Sequence, residues 1–369
     1  MLIPLLLIGL YTQPGFAQSP MSIKSEGMTL RVEQVAADLD IPWGMAFLDP
    51  DQLMVTSKNG RISILNPNTK ALLTISQVEG VWDRGQGGLL DVAVSESYKA
   101  GDWIYFTYSK NMEGDGATTL ARAKLHGSQI ADWQDLLVTR STTGTSRHFG
   151  SRITFDTEDH IFFAVGDRGD RPNGQDLSTH AGSTLRVKLD GSAPDDNPFV
   201  NKSGALPEIW SYGHRNPQGN VYDPQTGRLW SIEHGPRGGD EINLIEAGKN
   251  YGWPVISHGK EYWGPVQVGE GRHKKGMEQP VKVYIPSIAP SSLILYSGKS
   301  FPAWKGNLIA GALVLRHINR VVINNAGEAI KEERLLESLE ERIRDLVESP
   351  EGWIYFSTDS GKIFRIRPG

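Results

Sequence analysis

The chain has 369 residues, of which 22% are charged and 38% hydrophobic, with 41 glycines, 21 prolines and no cysteine. The lack of cysteine excludes disulfide scaffolds and cysteine-ligated metal clusters, and a net charge of -5 gives no general pull toward nucleic acid or anionic membrane. A chain this long buries a substantial core as one large or two ordinary domains, and ten tryptophans among frequent turn signals favour a large β architecture with a small-molecule partner.

Residues 1–17 open on an apolar run from Leu2 to Leu10 and close on Gly15-Phe16-Ala17. That pattern predicts a secretory signal peptide cleaved after Ala17, and hence a periplasmic or secreted protein. The run is too short for a membrane anchor, which needs roughly 18 apolar residues, and no later segment qualifies.

From there one pattern recurs: an apolar pair, a turn of Asp, Pro or Gly, then a short strand of β-branched and aromatic residues. It runs from Met45-Ala46-Phe47 to Leu53-Met54-Val55, from Val92-Ala93-Val94 to Trp103-Ile104-Tyr105-Phe106, and from Ile153-Thr154-Phe155 to Ile161-Phe162-Phe163. Further copies join Val221-Tyr222 to Leu229-Trp230, Leu293-Ile294-Leu295 to Leu308-Ile309-Ala310, and Leu346-Val347 to Trp353-Ile354-Tyr355-Phe356. A period of roughly 55 to 60 residues is that of a four-stranded blade with its loops, so the chain reads as all-β, a six-bladed β-propeller of antiparallel blades.

Several copies continue into a further strand carrying arginine, as in Arg61-Ile62, Arg186-Val187 and Arg365-Ile366, where the arginines are expected on exposed edges. A strand near Leu30 to Val35 is placed to close the ring with the C-terminal copy. Residues 328–344 read as a blade strand followed by a loop. No Pro/Gly/Ser linker divides the chain, so residues 18–369 are taken as one propeller domain.

A propeller carries ligands on loops over its central channel. Four non-repeating segments stand out: Gly85-Gln86-Gly87-Gly88-Leu89-Leu90-Asp91; His148-Phe149-Gly150-Ser151-Arg152 with Gly166-Asp167-Arg168-Gly169; Tyr212-Gly213-His214-Arg215-Asn216-Pro217-Gln218-Gly219; and Glu233-His234-Gly235-Pro236-Arg237-Gly238-Gly239-Asp240-Glu241, continued by Asn250-Tyr251-Gly252-Trp253-Pro254. Together and in this order, these motifs resemble the soluble pyrroloquinoline quinone (PQQ)-dependent aldose sugar dehydrogenases, over nearly the whole mature chain.

The resemblance implies oxidation of an aldose at C1 to a lactone, with hydride passing to PQQ and electrons then to an external acceptor. Such chemistry needs a base for the hydroxyl proton, and a neutral imidazole serves near pH 7. The histidine of His-Phe-Gly, here His148, takes that role by resemblance, with Asp167 orienting it. Arg215 and Asn216 are implied to lie against the cofactor, the guanidinium stabilising negative charge as hydride arrives.

Gln86, in a glycine-bracketed loop, is implied to touch cofactor or sugar, and Tyr262 to line the same cleft; Trp263 reads equally well as packing. Arg342 and Arg344, two apart on a strand, share a face suited to the PQQ carboxylates. Many family members carry a lysine after the Gly-Ala-Leu strand. Here Gly311-Ala312-Leu313 runs into Val314-Leu315-Arg316-His317, so Arg316 or Arg320 is the expected substitute. Ca²⁺ is implied at the carbonyls of Gly235 and Pro236, with a second ion at Glu241 and the carbonyl of Tyr251; such hard oxygen ligands suit calcium.

Two other readings compete. One is a calcium-dependent propeller hydrolase resembling a lactonase, which would need carboxylate or Asn side chains converging on one metal. The other is a non-catalytic propeller binding glycans or proteins. In each of these readings, the sugar dehydrogenase included, the protein is expected as a monomer or homodimer.

Overall fold

The computed structural model describes residues 20–369, so the expected signal peptide lies outside the described residues. Six antiparallel sheets, each with four strands or more, form a six-bladed β-propeller. The innermost strands of blades 1 to 6 are Pro42–Asp49, Leu89–Ala93, Thr154–Phe155, Pro217–Asp223, Pro290–Leu295 and Ile343–Glu348. Every recurring hairpin read in the sequence is the junction of an innermost strand with the second strand of its blade.

Second strands read as unbroken apolar runs because both faces of each sheet pack against neighbouring blades. Leu53, Met54 and Val55 are all buried, as are Ile161, Phe162 and Phe163. The core is accordingly divided among the blade interfaces. One cluster joins Ala46, Met54 and Ile62 of blade 1 to Leu89, Val92 and Phe106 of blade 2; another joins Trp230 and Ile242 of blade 4 to Leu308 and Val321 of blade 5. Truncating a fully buried aromatic such as Phe106 to Ala would cost about 3–5 kcal/mol.

The ring closes as expected. Met28–Ala36 pairs antiparallel with the last strand, Ile363–Pro368, placing Val32 opposite Ile366. The N-terminal strand is thereby clamped into the C-terminal blade, and Met21–Ser25, not foreseen in the sequence, extends that sheet to five strands. Within residues 328–344, Ala329–Leu335 is the outer strand of blade 5 and a loop follows, again as expected.

The arginine expectation holds for Arg61, which is exposed, and fails for Arg186. The Arg186 guanidinium packs 4.8 Å from the Trp210 ring centroid and bonds Asp196. An arginine stem can cover apolar surface while its head is satisfied by a neighbouring loop.

Candidate active site

Loops that leave the outer strand of one blade and enter the innermost strand of the next all emerge on one face. This topology brings together Gln86, His148, Arg215 and Arg342, which precede the inner strands of blades 2, 3, 4 and 6. The motifs separated in sequence thus meet at the channel mouth.

His148 is the centre of the arrangement. Its backbone is left-handed, with φ of 61°, a conformation a non-glycine residue keeps only when its surroundings enforce it. Gln86 provides part of that enforcement: its Oε1 accepts the His148 main-chain N–H at 2.7 Å. Below, the turn at Gly166 passes so close that a Cβ there would stand 2.5 Å from the His148 carbonyl. The ring Nδ1 lies 2.5 Å from Asp167 Oδ1.

Asp167 is fixed on both oxygens. Oδ1 also accepts Gly169 N–H at 2.7 Å, and Oδ2 accepts Trp253 Nε1–H at 2.7 Å. Burial pushes the Asp167 carboxyl up, but bonding to His148 and Gly169 and the Arg215 charge hold it below the usual range. Burial lowers His148 below its ordinary value, and the Arg215 charge adds to this against the opposing pull of Asp167. The pair is therefore an ionised carboxylate and a neutral imidazole. Since the carboxylate only accepts, Nδ1 carries the ring proton and Nε2 is the basic nitrogen.

Arg215 is held by its surroundings on several sides. Its N–H donates to Glu233 Oε2 at 2.7 Å, its Nη1 to the Gly235 carbonyl at 2.7 Å, and its guanidinium lies 5.4 Å from the Trp253 ring centroid. Tyr262, mostly exposed, accepts from Arg215 Nη2 at 3.5 Å. Trp263 is 76% exposed, so the packing reading does not hold for it. Asn216 is buried, its Oδ1 accepting Gln218 Nε2 at 3.1 Å and Gly150 N–H at 3.4 Å.

Arg342 lies just before the inner strand of blade 6 and not on it, so strand alternation does not set its side chain; it nevertheless converges with Arg344 on one carboxylate. Their Nε atoms donate to the two oxygens of Asp359, at 2.7 and 2.8 Å. Arg316 sits apart on an exposed loop, bonded to the Glu340 carbonyl at 3.4 Å. Arg320 does not reach the channel: it is buried beside Trp304 and bound to Glu333 and Asn307 in the outer part of blade 5. The glycine-bracketed loop that carries Gln86 packs tightly at Gly85, where a Cβ would stand 2.5 Å from the Ser146 carbonyl.

Beside Arg215 a small, partly open cavity of about 20 Å³ is lined by Gly213, Glu233, Gly235, Glu241, Tyr251 and Ser257. A space of that size holds one small particle. Asn243 Nδ2 bonds Glu233 and Glu241, at 3.1 and 3.4 Å, while its Oδ1 is buried without a partner. Burial, with the Glu233 charge behind it, pushes the Glu241 carboxyl well above the usual range. Two adjoining carboxylates, Glu233 and Glu241, with the carbonyls of the surrounding loops, are a donor set that fits a hard cation. Another grouping, Asp156, Glu158 and His160, lies at the far end of the blade 3 inner strand with the Arg186 guanidinium on His160, outside this site.

Trp253, Glu233 and Asp359 also belong to the site: Trp253 and Glu233 stand inside the non-repeating segments, a signal visible in the sequence, whereas Asp359 lies in a plain turn after the second strand of blade 6 and carries none.

No helix among the described residues is long and apolar enough to cross a membrane. Over residues 39–365 the sequence matches the family described as Glucose / Sorbosone dehydrogenase. It is 37% identical over 348 residues to aldose sugar dehydrogenase YliI of Escherichia coli (strain K12), covering 92% of this chain and 93% of that protein. The crystal structure of the soluble aldose sugar dehydrogenase from Escherichia coli in the apo-form superposes with a TM-score of 0.88 at 36% identity, covering 92% of this chain and 100% of that one. The PQQ-bound form of the aldose sugar dehydrogenase from Streptomyces coelicolor gives a TM-score of 0.74 at 25% identity, with 92% and 98% covered. A propeller of this topology, with these loops gathered over its channel, belongs to the glucose/sorbosone dehydrogenase family.

Proposed function

We propose that residues 18–369 form one exported, periplasmic propeller enzyme that oxidises aldose sugars at C1 to lactones, with PQQ and Ca²⁺, passing electrons to an external acceptor. The observation that carries this reading is the neutral His148, held through Nδ1 by an ionised Asp167 at the channel mouth.

In this reading His148 Nε2 takes the C1 hydroxyl proton, while Asp167 stabilises the imidazolium that results. Trp253 and Gly169 keep Asp167 from rotating away. Arg215, fixed by Glu233 and Gly235, presents positive charge where negative charge develops. When bound, PQQ supplies the hydride acceptor and Ca²⁺ polarises it.

Arg342 and Arg344 would hold the PQQ carboxylates, with Gln86, Asn216 and Tyr262 around the cofactor and sugar. Gly235 and Pro236 would hold the cofactor-side Ca²⁺, and Glu241 with the Tyr251 carbonyl the structural one. Arg342, whose Nη1 donates to the Leu313 carbonyl at 3.1 Å, would stand in for the lysine that many family members carry after this strand.

The test is dye reduction by the mature protein with a panel of aldoses, before and after PQQ and Ca²⁺ are added. Turnover that requires both additions supports the reading. Absence of turnover with no PQQ retained after desalting overturns it in favour of a binding propeller, and lactone hydrolysis without PQQ would favour the hydrolase.

A further inference from the structure

Below the channel mouth, one side chain touches every blade. Arg152 is 5% exposed and two residues before the inner strand of blade 3. Its Nη1 donates to Asp91 Oδ1 at 2.7 Å and lies 3.0 Å from Asp345 Oδ1, in blades 2 and 6. Its Nη2 donates to the carbonyls of Trp43, in blade 1, at 2.9 Å and Arg344, entering blade 6, at 3.0 Å. Its Nε reaches the carbonyls of Gln218 and Ser291, both at 3.3 Å, in blades 4 and 5. The guanidinium also lies 4.1 Å from the Trp43 ring centroid.

A guanidinium has five N–H donors in a rigid plane. No other side chain could serve acceptors spread around a ring in this way; a lysine offers three donors from one point. The two carboxylates have their own anchors, Asp91 on the Ile153 N–H and Asp345 on the Met45 N–H, each at 2.8 Å. The connection upward is equally rigid. Ser151 N–H bonds the Ala164 carbonyl at 2.7 Å and Thr118 Oγ1 bonds the Phe149 carbonyl at 2.8 Å, so the three residues between Arg152 and His148 have little freedom.

We propose that Arg152 is a positioning residue for the reaction: by gathering the inner strands of all six blades on one guanidinium, it sets the placement of His148 relative to Arg344 across the channel mouth. The catalytic part of this inference rests on the function proposed above. A displacement of about 1 Å between base and hydride acceptor is enough to cost about a hundredfold in rate, while sugar contacts at the rim are less affected.

The experiment compares wild type with Arg152→Lys, which keeps the charge opposite Asp91 and Asp345 but cannot reach all the carbonyls. Below its melting temperature, the variant is expected to lose about tenfold or more in kcat, with KM changed by less than about threefold. In the cofactor-free protein, NMR of labelled histidine and tryptophan reads the site directly: the His148 ring signals and the Trp253 indole N–H on Asp167 are expected to shift. Wild-type kcat together with unmoved His148 and Trp253 signals would overturn the proposal. If wild type itself oxidises no sugar, the proposed function fails, and the NMR comparison still decides whether Arg152 positions His148. Should Arg152→Lys fail to fold, Asp345→Asn takes its place, with the same signals expected to move by less; an unmoved spectrum overturns the proposal.

Discussion

The Gln86 side-chain carbonyl accepts the His148 main-chain N–H at 2.7 Å across 62 residues of sequence. A residue of the loop entering blade 2 thus fixes the left-handed backbone of the candidate base entering blade 3. Gln86→Ala is expected to leave the fold intact and lower kcat about tenfold to hundredfold through misplacement of the ring. Gln86→Glu, which keeps an acceptor at that position, is expected to lose less; steady-state kinetics on both variants checks the order.

His148→Ala removes the basic nitrogen that Asp167 orients at the channel mouth. Turnover is expected to fall about 10²- to 10⁴-fold, with unchanged circular dichroism and PQQ uptake. Turnover retained in that variant would remove His148 from the mechanism.

Asp167→Asn is informative for a different reason. An amide nitrogen facing Nδ1 would favour the tautomer with the proton on Nε2, which abolishes the base while preserving shape. A loss of about 10²- to 10⁴-fold is expected, with the His148 tautomer read by nitrogen-15 NMR.

The low His148 pKa fixes the sign of the pH response. Its neutral form persists below the ordinary histidine value of about 6.5, because burial and the Arg215 charge disfavour the imidazolium. The acid limb of kcat/KM is expected below pH about 6.5 and should move upward when Arg215 is replaced by Gln. A limb that stays in place would assign it to another group.

Asp345 gives an opposite dependence, in stability. Burial and the neighbouring Asp91 charge push its carboxyl up to about 7, against the pull of Arg152. Between the unfolded value of about 3.9 and 7, the folded state holds a proton that the unfolded state has released, so this group's contribution falls as pH rises through that window. Asp345→Asn should flatten the fall, as measured by denaturant unfolding between pH 4 and 8.

Calcium is expected to raise the melting temperature of the protein even without PQQ, through the cavity beside Glu241. At a free concentration about 100 times Kd, the gain would be about 2.7 kcal/mol. Glu241→Gln should abolish most of that response in a calcium titration followed by differential scanning fluorimetry.

The β class, the blade period and the closure of the ring are written in the chain itself, because these are local and repeated. Each hairpin states its own turn and its own buried run, as Met45 to Val55 and Leu346 to Phe356 do, and the terminal strands pair where their patterns match. The chain also marks the loops that carry His148, Asp167, Arg215 and Glu241, since their glycines and charged residues interrupt the repeat.

How those loops meet depends on folding. The buried setting of Arg186, the distance of Arg320 from the channel, the Asp359 bridge between Arg342 and Arg344, and the reach of Arg342 to the Leu313 carbonyl all depend on neighbouring strands or blades. No periodicity along one strand encodes them. Arg152 is the clearest case: as one letter in a short motif it has no visible role, and its meaning arises only when six strands distant in sequence converge within reach of one guanidinium.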